Sequence, residues 1–150
     1  MRRAVAVKAS GTWTAKVAGS VTLVFADRHR RRIRMIDDAG EPFLLALDDA
    51  AQLADGDGLV LEEGGTILVR AAEEQVADLR CDDAVAAMRL AWHLGNRHTP
   101  LQVLAEGSLR ITYDHVLVAM AEGLGARAEA KTAPFQPEGG AYAQGHGHDH

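Results

Sequence analysis

The chain has little cysteine and no long apolar run, and each scarcity excludes a class of protein. Cys81 is the only cysteine among 150 residues, so an internal disulfide and a CxxC zinc motif are both excluded. No apolar run approaches the roughly 18 residues that indicate a membrane-spanning helix. The apolar stretch at residues 4–7 is too short for a signal peptide. We therefore expect a cytoplasmic protein with no membrane partner.

Positive charge is also in the minority. Lysine and arginine total 16 against 21 aspartate and glutamate residues, which gives a formal net charge of -5. This balance argues against a nucleic-acid partner. The basic run from Arg28 to Arg34 is more often a solvated strand or hairpin face than a nucleic-acid patch. We interpret the run as a surface for a partner protein.

Motifs of common catalytic sites are missing as well. The sequence contains no HExxH motif, no convincing Ser-His-Asp order and no phosphate-binding glycine loop. Its clustered glycines at positions 56, 58, 64 and 65 fall in turn signals between strand-like segments. A catalytic metal site needs fixed ligands, an open position and a general base in a shaped pocket. A small metalloenzyme is therefore the weaker alternative, and we predict that the protein is not an enzyme.

Residues 1–72 are typical of a small all-β domain. β-branched and aromatic residues are concentrated at positions 21–25, 42–47 and 66–70. Turn signals occupy positions 37–40, 55–58 and 62–65 between them. No long helical pattern interrupts this region, which we predict to bind a partner or peptide.

Residues 73–135 repeat a strand–helix–strand pattern. Strand-like segments at 75–80, 101–104 and 108–112 and an extended segment at 126–135 surround two helices. Asp82 is the expected N-cap of the first helix and Gly95 its left-handed C-cap, while Asp114 and Gly125 bound the second helix. The expected inward faces are Val85, Met88 and Trp92 with Ala84, Ala91 and Leu94 on the first helix, and Val116, Leu117, Met120 and Leu124 on the second. The pattern predicts a ferredoxin-like βαββαβ domain, and the chain as a whole an α+β fold.

Residues 136–150 form a glycine-rich tail that ends in three histidines, His146, His148 and His150. The segment lacks the apolar residues that would offset its ordering entropy, so we predict disorder. A short histidine-rich tract is typical of metal binding, and a flexible one can both capture and release an ion. The chemistry is that of a carrier more than of a catalyst.

Two histidines of the second domain are further candidate ligands. His98 follows Gly95 in a loop, where binding side chains concentrate, although one loop histidine is usually solvated surface. His115 lies in the first helical turn, where the dipole disfavours imidazolium and leaves a neutral ligand. A capping or packing role beside Asp114 is its alternative, and His93 is interpreted as a satisfied histidine at a helix end.

These two histidines are too few for a closed site in one chain. A symmetric dimer doubles the number of ligands and brings identical residues together across its axis. Imidazole and carboxylate donors suit Ni, Cu(II), Zn or Co. The residues alone therefore leave open whether the protein is specific for one metal or binds and buffers divalent metals in general.

Several strings of the sequence resemble one known family in order and spacing. Residues 93–98 read His-Leu-Gly-Asn-Arg-His and are followed by Pro-Leu-Gln at 100–102, which resembles the signature of urease accessory protein E, a nickel metallochaperone family. Further similar strings lie at residues 27–32, 55–59, 114–117, 123–125 and 134–142. The resemblance covers essentially the whole chain, and agreement among separate strings is far more specific than one short motif.

The resemblance implies a cytoplasmic nickel-binding homodimer that delivers Ni(II) to apo-urease together with the accessory GTPase. His98 would bind the primary nickel beside its dimer mate, and zinc or copper could substitute in vitro. His115 would be a peripheral ligand, and His146, His148 and His150 would recruit metal. Some members carry a second histidine where this chain has Tyr113, so no auxiliary histidine pair is expected there.

Overall fold

The computed structural model describes residues 1–139. The chain divides into two compact units, the first spanning Met1–Ala72 and the second beginning at Glu73. The predicted ligands His146, His148 and His150 lie outside the described residues. No helix of the described chain is long and apolar enough to cross a membrane.

The first unit is built from six strands and one short 3-10 helix. In chain order these are β1 (Arg2–Lys8), β2 (Val17–Leu23), the 3-10 helix Phe25–Asp27, β3 (His29–Ile36), β4 (Pro42–Gln52), β5 (Gly58–Leu61) and β6 (Thr66–Ala71). They form one sheet in the order β2-β6-β5-β1-β4-β3. The pairs β1–β4 and β2–β6 are parallel, and the other pairs are antiparallel.

Period-2 alternation explains the sheet, since alternate side chains of its strands enter one core. Phe43, Leu45 and Leu47 alternate along β4 and are buried with residues of the other strands. The all-β character is confirmed, and segments 42–47 and 66–70 lie in β4 and β6. The strand predicted at 21–25 instead begins at Val17 and ends at Leu23, because Phe25 belongs to the 3-10 helix.

The basic run is not uniformly a solvated face. Arg28 is fully buried, and its Nη1 and Nε donate to the backbone oxygens of Leu23 at 2.8 Å and Leu53 at 3.2 Å. The guanidinium also lies 5.6 Å from the ring centroid of Phe25, a cation–π contact. The interpretation of Arg28 as surface is therefore wrong: this side chain cross-links the chain around the 3-10 helix.

The second unit has the predicted βαββαβ order. Its elements are β7 (Glu73–Arg80), α1 (Ala84–Asn96), β8 (Gln102–Val103), β9 (Leu109–Thr112), α2 (His115–Gly123) and β10 (Arg127–Pro134). The sheet order is β10-β7-β9-β8 with every neighbouring pair antiparallel. Two split βαβ units interleaved in this way give the ferredoxin-like arrangement, so the predicted fold class is confirmed.

Helix α1 differs from its prediction at its start and in its buried face. Asp83, not Asp82, is the N-cap, because its carboxylate accepts the backbone N–H of Ala86 at 2.8 Å. The helix buries Leu90 and Leu94. The predicted inward residues Val85, Met88 and Trp92 are 50%, 63% and 63% exposed. The alanine-rich helix carries two apolar stripes, and the one with the larger side chains faces solvent in the single chain.

Helix α2 matches its predicted N-cap more closely than its predicted face. Asp114 accepts the backbone N–H groups of Val116 and Leu117. Ala121 is buried and Leu117, Val118 and Met120 pack against the core, but Val116 and Leu124 are 58% and 48% exposed, so their predicted burial is wrong. Gly125 has φ +97° and ends the helical segment as predicted.

The ordered chain continues beyond the predicted boundary at residue 135. Phe135 is fully buried, the Gln136 N–H donates to Gln102 Oε1 at 2.9 Å, and the Glu138 N–H donates to the Leu101 oxygen at 2.8 Å. The Glu138 carboxylate accepts the Val103 N–H in return. Disorder from residue 136 onward is therefore wrong for residues 136–138, which are held against the β8 segment.

Candidate metal site

His98 occupies the left-handed position that ends helix α1. Its φ is +59°, and it is the only residue other than glycine with positive φ among residues 1–139. The His98 N–H donates to the Gly95 oxygen at 2.9 Å, and the Thr99 N–H donates to the Leu94 oxygen at 3.0 Å. These two bonds are the Schellman pair, with Arg97 as C-cap and His98 at C′. The prediction that Gly95 is the left-handed cap is wrong, since Gly95 lies within α1.

A histidine at this position is strained and exposed. A left-handed conformation costs an L-residue with a Cβ roughly 1–2 kcal/mol, and glycine is the usual occupant of C′. The His98 side chain is exposed and makes no hydrogen bond or ion pair within residues 1–139. Backbone strain of this kind concentrates at functional sites. The left-handed backbone places the exposed imidazole of His98 at a fixed position after the helix.

The exposed apolar stripe of α1 runs along the same helix. Val85, Met88 and Trp92 are spaced by three and four residues, so they share one helical face. The Trp92 ring meets the half-buried His93 ring edge-on at a centroid distance of 5.1 Å. Large apolar side chains grouped on one surface mark an interaction site rather than ordinary exposure. The stripe extends toward the helix end that His98 follows.

His115 is the first residue of α2 and therefore belongs to a different helix from the one that His98 follows. Its side chain is exposed and, among the described residues, has no hydrogen-bond partner. Asp114 supplies the N-cap of α2, so the His115 side chain has no capping role among the described residues. Tyr113 beside it is 47% exposed.

Two other potential metal ligands of the second unit, Asp78 and Cys81, are poorly available for metal binding. The Asp78 carboxylate accepts Arg110 Nε at 2.7 Å and Nη2 at 3.0 Å, and Lys131 Nζ lies 3.5 Å away. The hydrogen bond from Arg110 lowers the pKa of Asp78. Burial, reinforced by Asp82 and Asp83, raises the pKa of the Cys81 thiol, which disfavours the thiolate that binds metals.

No three His, Cys, Asp or Glu side chains gather into a metal-binding group within residues 1–139. The structure does not bring His98 and His115 together with a third donor. A site of three or more such ligands that includes His98 therefore needs donors from outside the described part of one chain.

Sequence reasoning missed two features of the second unit. Sequence reasoning placed the left-handed residue at Gly95 because glycine is the usual occupant, whereas the helix continues through Asn96 and the left-handed residue is His98. The hydrogen bonds of residues 136–138 were missed because Phe135, an isolated aromatic next to prolines, was the only signal that the chain is anchored there.

Comparison with known proteins covers both units. Family models for the UreE urease accessory protein match at residues 2–72 for its N-terminal domain and at residues 74–150 for its C-terminal domain. The chain belongs to the UreE urease accessory protein family.

Relatives within the UreE family align over nearly the whole chain. The urease accessory protein UreE of Bradyrhizobium sp. strain BTAi1 is 51% identical over 99% of this chain and 73% of its own length. UreE of Rhodopseudomonas palustris strain BisB18 is 50% identical over 95% of this chain and 67% of its own length. UreE of Beijerinckia indica is 45% identical over all of this chain and 86% of its own length.

Proposed function

We propose that this UreE family member is a homodimeric nickel carrier that delivers Ni(II) to apo-urease through a complex with the accessory GTPase. Membership of the family supports a role in urease maturation. The observation that carries the nickel proposal is His98, an exposed imidazole held on left-handed backbone at the end of α1. Nickel is the cargo in this proposal, and nothing in the chain is assigned to catalysis.

Sharing between two subunits follows from the number of ligands. One imidazole cannot retain a divalent ion, and the described part of one chain offers no group of three donors. In a twofold dimer the same residue of each subunit can meet across the axis. Two His98 side chains would then bind one ion, with water or tail histidines completing the coordination.

The apolar stripe of α1 supports the dimer. Val85, Met88 and Trp92 are each at least half exposed in the single chain, and burying such a side chain contributes about 1.5–3 kcal/mol. A second copy packed on this stripe would cover the apolar area. It would also bring the two α1 C-terminal ends, each followed by His98, into one assembly.

Release of the cargo requires an incomplete and accessible coordination sphere. An exposed pair of imidazoles leaves positions open, so an incoming ligand of the receiving protein can bind before a histidine departs. Imidazole binds metal in its neutral form, so acidification weakens the complex. We assign His115 as a peripheral ligand and His146, His148 and His150 as recruiting ligands that pass nickel to the shared site.

Nickel titration of metal-free protein tests this proposal, with calorimetry for stoichiometry and light scattering for mass. We expect a dimer with one tight ion per two chains. The variant His98→Asn should lose that ion while remaining folded, because asparagine tolerates the left-handed conformation. His29→Asn, which removes an exposed imidazole from β3 in the other unit, is the matched control and should bind normally.

Deletion of residues 145–150 separates recruitment from the shared site. The deleted protein should bind fewer ions in total and should retain the single ion shared by two chains. Loss of all tight nickel binding on deletion, or its persistence in His98→Asn, would contradict the assignment of His98. Equal affinity for zinc and nickel in competition would favour general divalent-metal buffering instead.

A further inference from the structure

A small cavity opens between the two terminal strands of the first sheet. Strands β2 and β3 end the strand order, and within residues 1–139 they are not paired with each other. Residues of both strands nevertheless line one cavity of about 230 Å³, whose apolar wall is formed by Val21, Leu23, Ile33, Met35 and Ile36. The two free strand edges therefore face a common opening.

Contacts at both ends of these strands fix the cavity. At one end Asp38, which follows β3, is hydrogen-bonded to β2. Its N–H donates to the Ser20 oxygen at 2.8 Å, and its carboxylate accepts the hydroxyls of Ser20 and Thr22. At the other end the buried Arg28 donates to the Leu23 oxygen at 2.8 Å. Because hydrogen bonds hold the chain at both ends of the cavity, its walls are fixed by the fold of the first unit.

The mouth of the cavity has an excess of positive charge. Arg30 and Arg34 line it, and the one acidic lining residue, Asp27, already pairs with Arg30 at 3.0 Å. The Arg30 Nε is buried and, within the described chain, has no hydrogen-bond partner. Arg32 and Arg34 are exposed and have no ion pair in residues 1–139. The arginines of the rim therefore exceed the carboxylates that lie within their reach in the described chain.

We propose that this cavity and its arginines bind an extended acidic segment of a partner protein, with one apolar side chain of that segment inside the cavity. The volume is below the usual 300–1,000 Å³ of small-molecule pockets, and it suits a single large side chain. Interfaces commonly use such an anchor in a pocket, with charged residues at the rim. Carboxylates on both sides of the anchor would pair with Arg34 and with the exposed part of the Arg30 guanidinium.

Fluorescence anisotropy with labelled peptides and the full chain tests the proposal. The probe is the heptapeptide Gly-Asp-Glu-Leu-Glu-Asp-Gly, and two companions replace its leucine by glycine or its four acidic residues by lysine. We expect the glycine companion to bind at least about tenfold more weakly, from the burial of one leucine side chain. The lysine companion should not bind, and binding of the probe should weaken with added salt.

Variants of the exposed rim locate the surface. Arg34→Gln should weaken the probe by about fivefold, the upper range for an exposed ion pair. Ile36→Asp should weaken it further by repelling the acidic segment. The matched controls are Lys16→Gln, which removes an exposed charge of the same unit, and Val17→Asp, which changes an exposed apolar residue of β2 outside the cavity lining. Both controls should bind the probe normally.

Three results would overturn the proposal. Equal binding of the leucine and glycine peptides would show that no side chain enters the cavity. Equal weakening by Arg34→Gln and Lys16→Gln would mean that only overall charge matters. A lower oligomer mass in Ile36→Asp would assign this face to a second copy of the chain. None of these measurements uses nickel, so failure of this proposal is distinguishable from failure of the proposed carrier function.

Discussion

Two substitutions at the end of α1, His98→Gly and Gly95→Ala, test which residue adopts the left-handed conformation that ends the helix. In the structure His98 is the left-handed residue and Gly95 is helical. His98→Gly removes a conformational cost of roughly 1–2 kcal/mol. The added flexibility of glycine in the unfolded chain costs about 0.4–1 kcal/mol. The variant should therefore be more stable by about 0.5–1 kcal/mol, although it lacks the imidazole that we assign to nickel.

Gly95→Ala is the matched partner of this variant. A Cβ at residue 95 meets no atom of the chain within 4 Å, and alanine is favoured over glycine inside a helix by about 0.8–1 kcal/mol. The structure therefore predicts stabilisation of the single chain. Had Gly95 been the left-handed cap, the same substitution would destabilise the protein by about 1 kcal/mol or more. The sign of the change distinguishes the two descriptions of the helix end.

Urea unfolding of metal-free protein, followed by circular dichroism at 222 nm, measures both effects. The signal reports the second unit, because α1 and α2 are the helices of the described chain. All proteins are compared at one concentration, since a dimer's stability depends on it. Destabilisation by both substitutions would refute the assignment of the left-handed position to His98. Stabilisation by His98→Gly with unchanged nickel binding would refute its role as a ligand.

Three further substitutions probe other parts of the chain. Arg28→Met should destabilise the first unit by about 2–4 kcal/mol in urea unfolding, because the Leu53 oxygen loses its arginine donor, the Leu23 oxygen keeps only the Ala72 N–H, and the contact with the Phe25 ring is lost; a change below about 0.5 kcal/mol would show the arginine to be dispensable. Asp78→Asn should lower stability at pH 7 by about 2 kcal/mol. Since Arg110 lowers the folded pKa of Asp78, the stabilisation is present above the unfolded value of about 3.9 and lost as pH falls through the folded pKa; the variant should show a smaller loss in acid, and parallel acid curves would contradict this. Met88→Asp should yield monomers by light scattering and abolish the shared nickel ion, whereas persistent dimers would exclude the α1 stripe as the interface.

The ferredoxin-like topology was predictable because its signals are local and repeated. Two helical segments with Asp caps alternate with β-rich segments, and the connections between them are short, so the order of the elements can be predicted from the sequence. In the first unit the signals were weaker. Strand β1 has a continuous run of only four apolar residues, at positions 4–7, which shows no period-2 alternation. Strand β3 is so rich in arginine that its apolar residues Ile33 and Met35 were obscured.

The errors at α1 have a different origin. Apolar periodicity identifies the faces of a helix that avoid water, but it does not show whether a face packs against the same chain or against a partner. Leu90 and Leu94 meet the sheet of their own unit, whereas Met88 and Trp92 are left exposed by it. In the proposed dimer, one helix would carry two apolar faces, one for its own sheet and one for the second copy of the chain. The wrong inward face is therefore itself an indication of an interface.

The strain at His98 is consistent with the proposed dimer. In an isolated subunit a glycine at C′ would be more stable and a lone exposed imidazole would hold no ion. The strained histidine has a use only if a second donor arrives at a reproducible position. Rigid presentation after a helix, fixed by the Gly95 and Leu94 oxygens, gives that reproducibility without enclosing the ion. The proposed carrier function would use this combination, because an accessible, incomplete coordination sphere lets a ligand of the receiving protein bind before the ion is released.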